Sequence, residues 1–367
     1  SEKLEQIVHD YIEQDAYFTM NRARQYGKTT MLELLYKRLK TEYIVLDISF
    51  ESSEDCFVSI YSLALGFISK VSESLMMNDV PDQLLDIWNK PISQVLPMDD
   101  LSKKITEFCK ASEREVILLV DEVDRAADNQ LFLMFMGLLR TKYLRRNAGR
   151  DFTFKSVILA GVHDIKNLKM KLRPDENHSY NSPWNIASTF DIDMSFSPEE
   201  IATMLRSYES DHQTGMDILK MSHELYDYTG GYPFLVSCLC KKLDEETLPW
   251  DASGLRLAVR DLLKENNTLF DDVIKNIKNH PDFSDLIEQI IVCGSQVIYE
   301  IRNPLIDLGV MYGILKEQDG RAVVSNVIFE TIIFNYFTSV RSTYALTSTQ
   351  YTEKSQYIKT TQNKKKY

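Results

Sequence analysis

Apolar positions in this chain follow two regimes. Up to about residue 197, short unbroken apolar runs alternate with segments whose apolar residues recur every three or four positions. The runs are AYFTM (16–20), EYIVLDISF (42–50), REVILLVDEVD (114–124), FKSVILAGV (154–162) and FDIDMSF (190–196). Runs of that length, without polar alternation, predict strands buried on both faces. Between them, helical spacing covers residues 1–15 (Leu4, Ile7, Val8, Tyr11 and Ile12 on one face), TMLELLYKRL, 54–75, 100–112 and 129–144. Residues 77–100 carry three prolines and little periodicity, which predicts an irregular insert. Strands and helices in alternation imply an α/β fold with a parallel, five-stranded sheet covered on both sides.

After Ser197 the pattern becomes helical. SPEEIATMLRSYES opens with a capping residue and an acidic first turn, and TGGYPFLVSCLCKKLDE (229–245) is a turn running into an apolar helix. Further helices cover 255–293. QVIYEI, NPLIDLGVMYGILKEQ, GRAVVS and NVIFETIIFNYFTS then predict strand, helix, strand and helix, the succession of a small winged-helix-like domain. From about Arg341 the chain is polar, as a linker or disordered tail is. The expected boundaries are 1–197, 198–250, 251–340 and 341–367.

Composition narrows the partners. The 367 residues carry a net charge of −12, so the overall field repels nucleic acid and anionic membrane, and any nucleic-acid contact needs a local basic patch. QVIYEIRNPLIDLGVMYGILKEQ has few cations, which favours protein–protein packing over DNA for that segment. The five scattered cysteines predict reduced core thiols, and Cys238-x-Cys240 is too tight for a zinc pair. No apolar run has membrane length and no signal peptide is visible, so a cytoplasmic chain is expected.

The chemistry is concentrated in AYFTMNRARQYGKTTMLELL (16–35). Gly27-Lys28-Thr29 follows an apolar strand and opens a helix, the context in which G-x-x-x-x-G-K-[ST] cradles phosphate. Backbone amides of residues 25–30 (Gln25, Tyr26, Gly27, Lys28, Thr29, Thr30) would face phosphate oxygens. Lys28 would reach the β- and γ-phosphates, and the Thr29 hydroxyl would ligate Mg²⁺. Arg22 stands at the motif's first glycine position. Arg22 and Arg24 are either extra positive charge beside the phosphates or solvated loop cations. About 90 residues on, VILLVDEVD puts Asp121 at a strand end, where it would hold Mg²⁺, with Glu122 beside it as general base for the attacking water.

NRARQYGKTTML, ILLVDEVDR, SVILAGVHDIKNL, NSPWNIASTFDIDMSFSPEEI and YTGGYPFLVSCLC together resemble the predicted AAA-ATPase-like proteins of bacteria and archaea, relatives of the STAND NTPases. The resemblance spans roughly residues 5–340, and in that family an arginine-rich start to the loop is usual. It implies an AAA-type P-loop sheet with an extra strand between the P-loop strand and the Asp-Glu strand, then a helical lid. It implies that Pro233 of Gly231-Tyr232-Pro233 lies near the base, and that His163 senses the γ-phosphate. It also implies an arginine finger among Arg140, Arg145, Arg146 and Arg150, with Arg125 and Arg173 as others; Arg140 is the candidate taken. ATP and Mg²⁺ are the implied cofactors, ATP over GTP, with no N-K-x-D after the fourth strand. The implied activity is a partner-dependent ATPase, in a homo-oligomer or with a protein partner. A nucleotide-held signalling switch and a DNA-associated regulator are the competing readings.

Overall fold

The computed structural model describes residues 2–51, 53–78, 80–123, 130–161 and 184–342. The chain divides into two compact units, Ser1–Met194 and Ser195–Tyr367.

The first unit is built on a parallel sheet of four strands: β1 (Tyr17–Asn21), β2 (Ile44–Ser49), β3 (Val116–Asp121) and β4 (Ser156–Gly161), ordered β1-β4-β3-β2. The last strand in sequence is thus inserted between the P-loop strand and the Asp121 strand, as the resemblance implied. Side chains alternate across the sheet. Phe18, Met20, Val45, Ile117, Leu119, Ile158 and Ala160 pack on the face that carries α1 (Glu2–Ile7) and α2 (Lys28–Leu39). Tyr17, Leu46, Leu118, Val120, Val157 and Leu159 pack on the other face. There they meet α3 (Ile60–Met76), α4 (Asp82–Asn89), α5 (Pro97–Ala111) and α6 (Gln130–Asn147). The 77–100 insert is more ordered than its prolines suggest. It holds α4, whose Leu84, Ile87 and Trp88 are buried, and Pro97 starts α5 at a position where its missing N–H costs nothing.

The predicted fifth strand, 190–196, is not a strand. Only Ser188 pairs with β1, as a parallel bridge to Phe18. The alternation that suggested a strand is real: Phe190, Ile192 and Met194 are buried. Side chains have taken the ladder's carbonyls instead. The Thr189 carbonyl accepts from the Tyr11 hydroxyl at 3.0 Å and the Ile192 carbonyl from Arg22 at 2.7 Å.

The second unit begins with α7 (Pro198–His212), whose Ser197–Glu200 capping box is complete. Helices α8 (Ile218–Thr229), α9 (Pro233–Glu245), α10 (Ala252–Leu262), α11 (Thr268–Asn279) and α12 (Pro281–Ile291) follow. A three-stranded antiparallel sheet comes next, β5 (Val297–Ile298), β6 (Leu315–Gln318) and β7 (Arg321–Val324), ordered β5-β7-β6. Helix α13 (Pro304–Met311) separates β5 from β6, and α14 spans 327–342. The helix predicted through NPLIDLGVMYGILKEQ ends early because Gly313 turns left-handed, at φ 67°. The remainder is β6, joined to β7 by Asp319-Gly320, both at positive φ as a tight hairpin needs.

Candidate functional site

Gly27 caps α2 from the left-handed region, at φ 80°. The first amides of α2 have no carbonyl one turn back, so they and the positive end of the helix dipole face the loop. Gln25, also left-handed at φ 57°, bends the loop around them. Lys28, the first residue of α2, is buried, 9% exposed, unusually for a lysine. Its Nζ donates to the carbonyls of Arg22 and Ala23, at 2.9 Å each. These two bonds tie the ammonium back across the loop. Arg24, Gln25, Thr29 and Thr30 are exposed there, and Tyr26 packs partly into the α2-side core.

Asp121 ends β3 on the same face as Ile117 and Leu119, the α2 face. This alternation brings together residues 92 positions apart: the Thr29 hydroxyl donates to Asp121 Oδ2 at 2.7 Å. The other carboxylate oxygen accepts from the Glu122 amide at 2.8 Å. Glu122 itself sits at φ 54°, an uncommon place for a non-glycine residue, and such strain concentrates at functional sites. Two hard oxygen donors converging beside a loop of amides suit Mg²⁺ and phosphate. Among the described residues no group of three or more His, Cys, Asp or Glu is placed to hold a metal.

Arg22 does not stand as a solvated loop cation. Its guanidinium donates to the carbonyls of Asn21 (2.8 Å) and Ile192 (2.7 Å) and lies over the Phe190 ring. Its amide continues the β1–β4 ladder by donating to Gly161. The arginine fastens the start of the loop to the sheet edge.

His163, Arg125 and Arg173 lie outside the described residues. Pro233 begins α9 in the second unit, after Gly230 and Gly231, both left-handed. Arg140 is ten residues into α6, about 15 Å along its axis, and its Nε is buried without a hydrogen bond among the described residues. Arg146 is at the far end of the sheet, donating to the carbonyls of Phe154, Lys155 and Asp15 with its plane near Tyr17 and Tyr143. These bonds make Arg146 a structural clamp in this chain. Arg145 and Arg150 are exposed at the same end.

Sequence reading passed over Asp47. It interrupts the apolar run of β2 on the α2 face. Desolvation, then the negative charges of Asp121 and Glu33, push its carboxyl above the ordinary carboxylate range. The signal was available: a lone acid inside IVLDISF.

No protein-family model matches the chain, and no curated protein matches it. Solved structures do. A Walker-type ATPase of Pyrococcus abyssi aligns over 90% of this chain and 93% of its own, at 13% identity and a TM-score of 0.55. The ORC2 protein of Aeropyrum pernix, solved with ADPNP and ADP, aligns over 92% and 94% at 10% identity and a TM-score of 0.46. The ORC1 protein of the same organism, in complex with DNA, aligns over 93% of each chain at 11% identity and a TM-score of 0.39. Among the described residues no helix is long and apolar enough to cross a membrane. With the strand order β1-β4-β3-β2, the likeness to the Pyrococcus protein establishes the fold, that of the AAA-type P-loop ATPases.

Proposed function

We propose that this chain binds Mg-ATP and hydrolyses it, slowly when alone, and that the nucleotide state sets the position of the helices that begin with Pro233. The observation that carries this reading is the Thr29–Asp121 hydrogen bond. It joins the hydroxyl of the phosphate loop to the carboxylate of a strand that is not its neighbour. In this reading the amides of residues 25–30 and the Lys28 ammonium hold the phosphates. Thr29 and Asp121 hold Mg²⁺, which when bound offsets charge on the phosphate oxygens. Glu122 accepts a proton from the attacking water.

Arg22 fastens the loop and Arg24 is exposed at it, but none of the finger candidates described in the first unit has a hydrogen bond or ion pair to that loop. Arg146 is committed elsewhere and Arg145 and Arg150 stand at the far end of the sheet. Arg140 or an exposed arginine of a second copy is then the cation that completes the site, which makes turnover depend on self-association. The same observation favours a second reading: a switch in which bound nucleotide holds a conformation and turnover is incidental. A DNA-associated role rests on the three-stranded sheet and α13–α14 as a winged-helix-like element, and a salt-dependent DNA titration tests it.

The deciding experiment measures Mg-ATP binding and phosphate release over a series of protein concentrations, beside Lys28→Ala. Release per subunit that rises with concentration supports the oligomeric ATPase. Tight binding without release at any concentration supports the switch. Equal binding by Lys28→Ala and wild type overturns both.

A further inference from the structure

The second unit contains a cleft of about 550 Å³, open to solvent and lined by residues of that unit alone. That volume lies within the range of ligand sites, about 300–1,000 Å³. One face of the three-stranded sheet lines it. Lys316 pairs with Val323 and Gln318 with Arg321, so these four side chains share that face. The other sides come from the end of α8 (Tyr226, Asp227), the end of α12 (Ile290) and the start of α14 (Val327, Glu330).

The charges are sorted by element: the cations, Lys316 and Arg321, are on the sheet, and the carboxylates, Asp227 and Glu330, are on the helices. Among the described residues none of the four is in an ion pair, whereas Lys242 of α9 binds both Glu246 and Glu265. Diagonal like charges on a sheet face are unfavourable, and neither carboxylate of the cleft forms an ion pair with them. A ligand with the opposite arrangement of charge would satisfy all four. Ile290 and Val327 offer it apolar surface, and the Gln296 and Gln318 amides can bond a peptide backbone.

We propose that this cleft binds a short extended peptide of a partner protein, with an acidic side chain against Lys316 and Arg321 and a basic one against Asp227 and Glu330. The site also touches the turn before α9. Gly230 lines the cleft, and a Cβ there would stand 2.6 Å from the Ser325 carbonyl oxygen. A Cβ on Gly231 would stand 2.1 Å from the Phe196 oxygen, while the Gly231 carbonyl accepts from the Phe196 amide. The turn is held on both sides, so a peptide in the cleft presses on the element that carries Pro233. Resting on the function proposed above, peptide and nucleotide change each other's affinity by the same factor.

Calorimetry on the full chain tests the cleft without nucleotide. The probes are the capped tetrapeptide Glu-Val-Val-Lys, the capped Gln-Val-Val-Gln and Glu-Val-Val-Glu, and inorganic phosphate. Glu-Val-Val-Lys is expected to bind at least ten-fold more tightly than the others. Lys316→Glu and Asp227→Lys should each weaken it at least ten-fold, and Lys316→Glu should gain affinity for capped Lys-Val-Val-Lys. Lys316→Gln, checked by circular dichroism, guards against a folding defect. No binding at millimolar peptide, equal binding by the reversed variants, or equal binding of phosphate overturns the proposal. Repeating the titration with Mg-ATP reads the coupling separately. A chain that takes the peptide but no ATP keeps the cleft and removes the nucleotide reading.

Discussion

The two ends of the first unit's sheet treat buried charge differently. At the ends where the strands begin, Lys142 is 1% exposed and its Nζ donates to Asp151 Oδ2 (3.1 Å), Thr106 Oγ1 (2.6 Å) and the Ser102 carbonyl (3.1 Å). Asp151 in turn accepts from Thr106 and from the Phe152 amide. Lys155 is paired with Asp15 and Glu115. At the ends where the strands finish, Lys28 donates to the Arg22 and Ala23 carbonyls, Glu122 and Gln25 are left-handed, and Asp121 meets a hydroxyl from another element. Burial of a lysine is common to both ends and therefore marks neither as a site. The distinguishing feature is strained backbone, at Glu122 and Gln25, beside a hydroxyl and a carboxylate that meet at the start of a helix.

The sharpest way to break this contrast is Glu122→Gln. Turnover should fall by about 10²–10⁴, the usual worth of a general base, with ATP still bound. Normal hydrolysis by that variant would remove Glu122 from the site. Next in size is the far end. Asp151→Asn leaves Lys142 buried without its counter-charge and should cost about 3–5 kcal/mol of stability, read by denaturant midpoint, with ATP affinity unchanged below the new transition. A smaller cost would mean water reaches Lys142 and that this end is not dry.

The pH dependence gives a third test, because the two ends have opposite sign. Burial raises the Asp151 carboxyl, but the hydrogen bonds from Thr106 and Lys142 outweigh it and hold the group below its ordinary value. Its contribution is therefore present above the unfolded carboxylate pKa of about 3.9 and is lost as pH falls through the folded value. Asp47 is raised, so its contribution is present below the unfolded value and is lost as pH rises through the folded one. Asp47→Asn should stabilise the chain at neutral pH and make little difference in acid. Denaturant midpoints between about pH 3 and pH 7 read both, and slopes of the same sign would sink the comparison. The smallest effect concerns thiols. Burial pushes Cys109 and Cys240 up to about 12, whereas Cys293 is exposed. Cys293 should react with a thiol reagent in the folded chain, and Cys109 and Cys240 only after unfolding.

Much of the strand-finishing end is legible in the sequence because its chemistry is local. Gly27-Lys28-Thr29 and Asp121-Glu122 are contiguous, and their neighbours are regular apolar runs. The Lys142–Thr106–Asp151 network is not legible, since it joins an amphipathic helix, an apolar helix and a loop through residues that look like surface polars. Segment 190–196 misled because alternation reports which side chains are buried and not where the carbonyls bond. The cleft of the second unit was invisible for a related reason: its four charges come from α8, β6, β7 and α14, and register alone places two of them on one face.

The place of β4 between β1 and β3 has a further consequence. It separates the strand that leads into the phosphate loop from the strand that carries Asp121 by two strand spacings of about 4.8 Å. The tip of β4 is Ala160-Gly161, and its carbonyls tie both neighbours, Gly161 to the Arg22 amide and Ala160 to the Val123 amide. The inserted strand thus acts as a gauge block, and its small tip leaves room for Thr29 and Asp121 to meet above it. Because the gauge is set by the sheet, the 66 residues from Phe50 to Glu115, between β2 and β3, can lengthen, shorten or change partners without altering the span across which the hydroxyl and the carboxylate face each other.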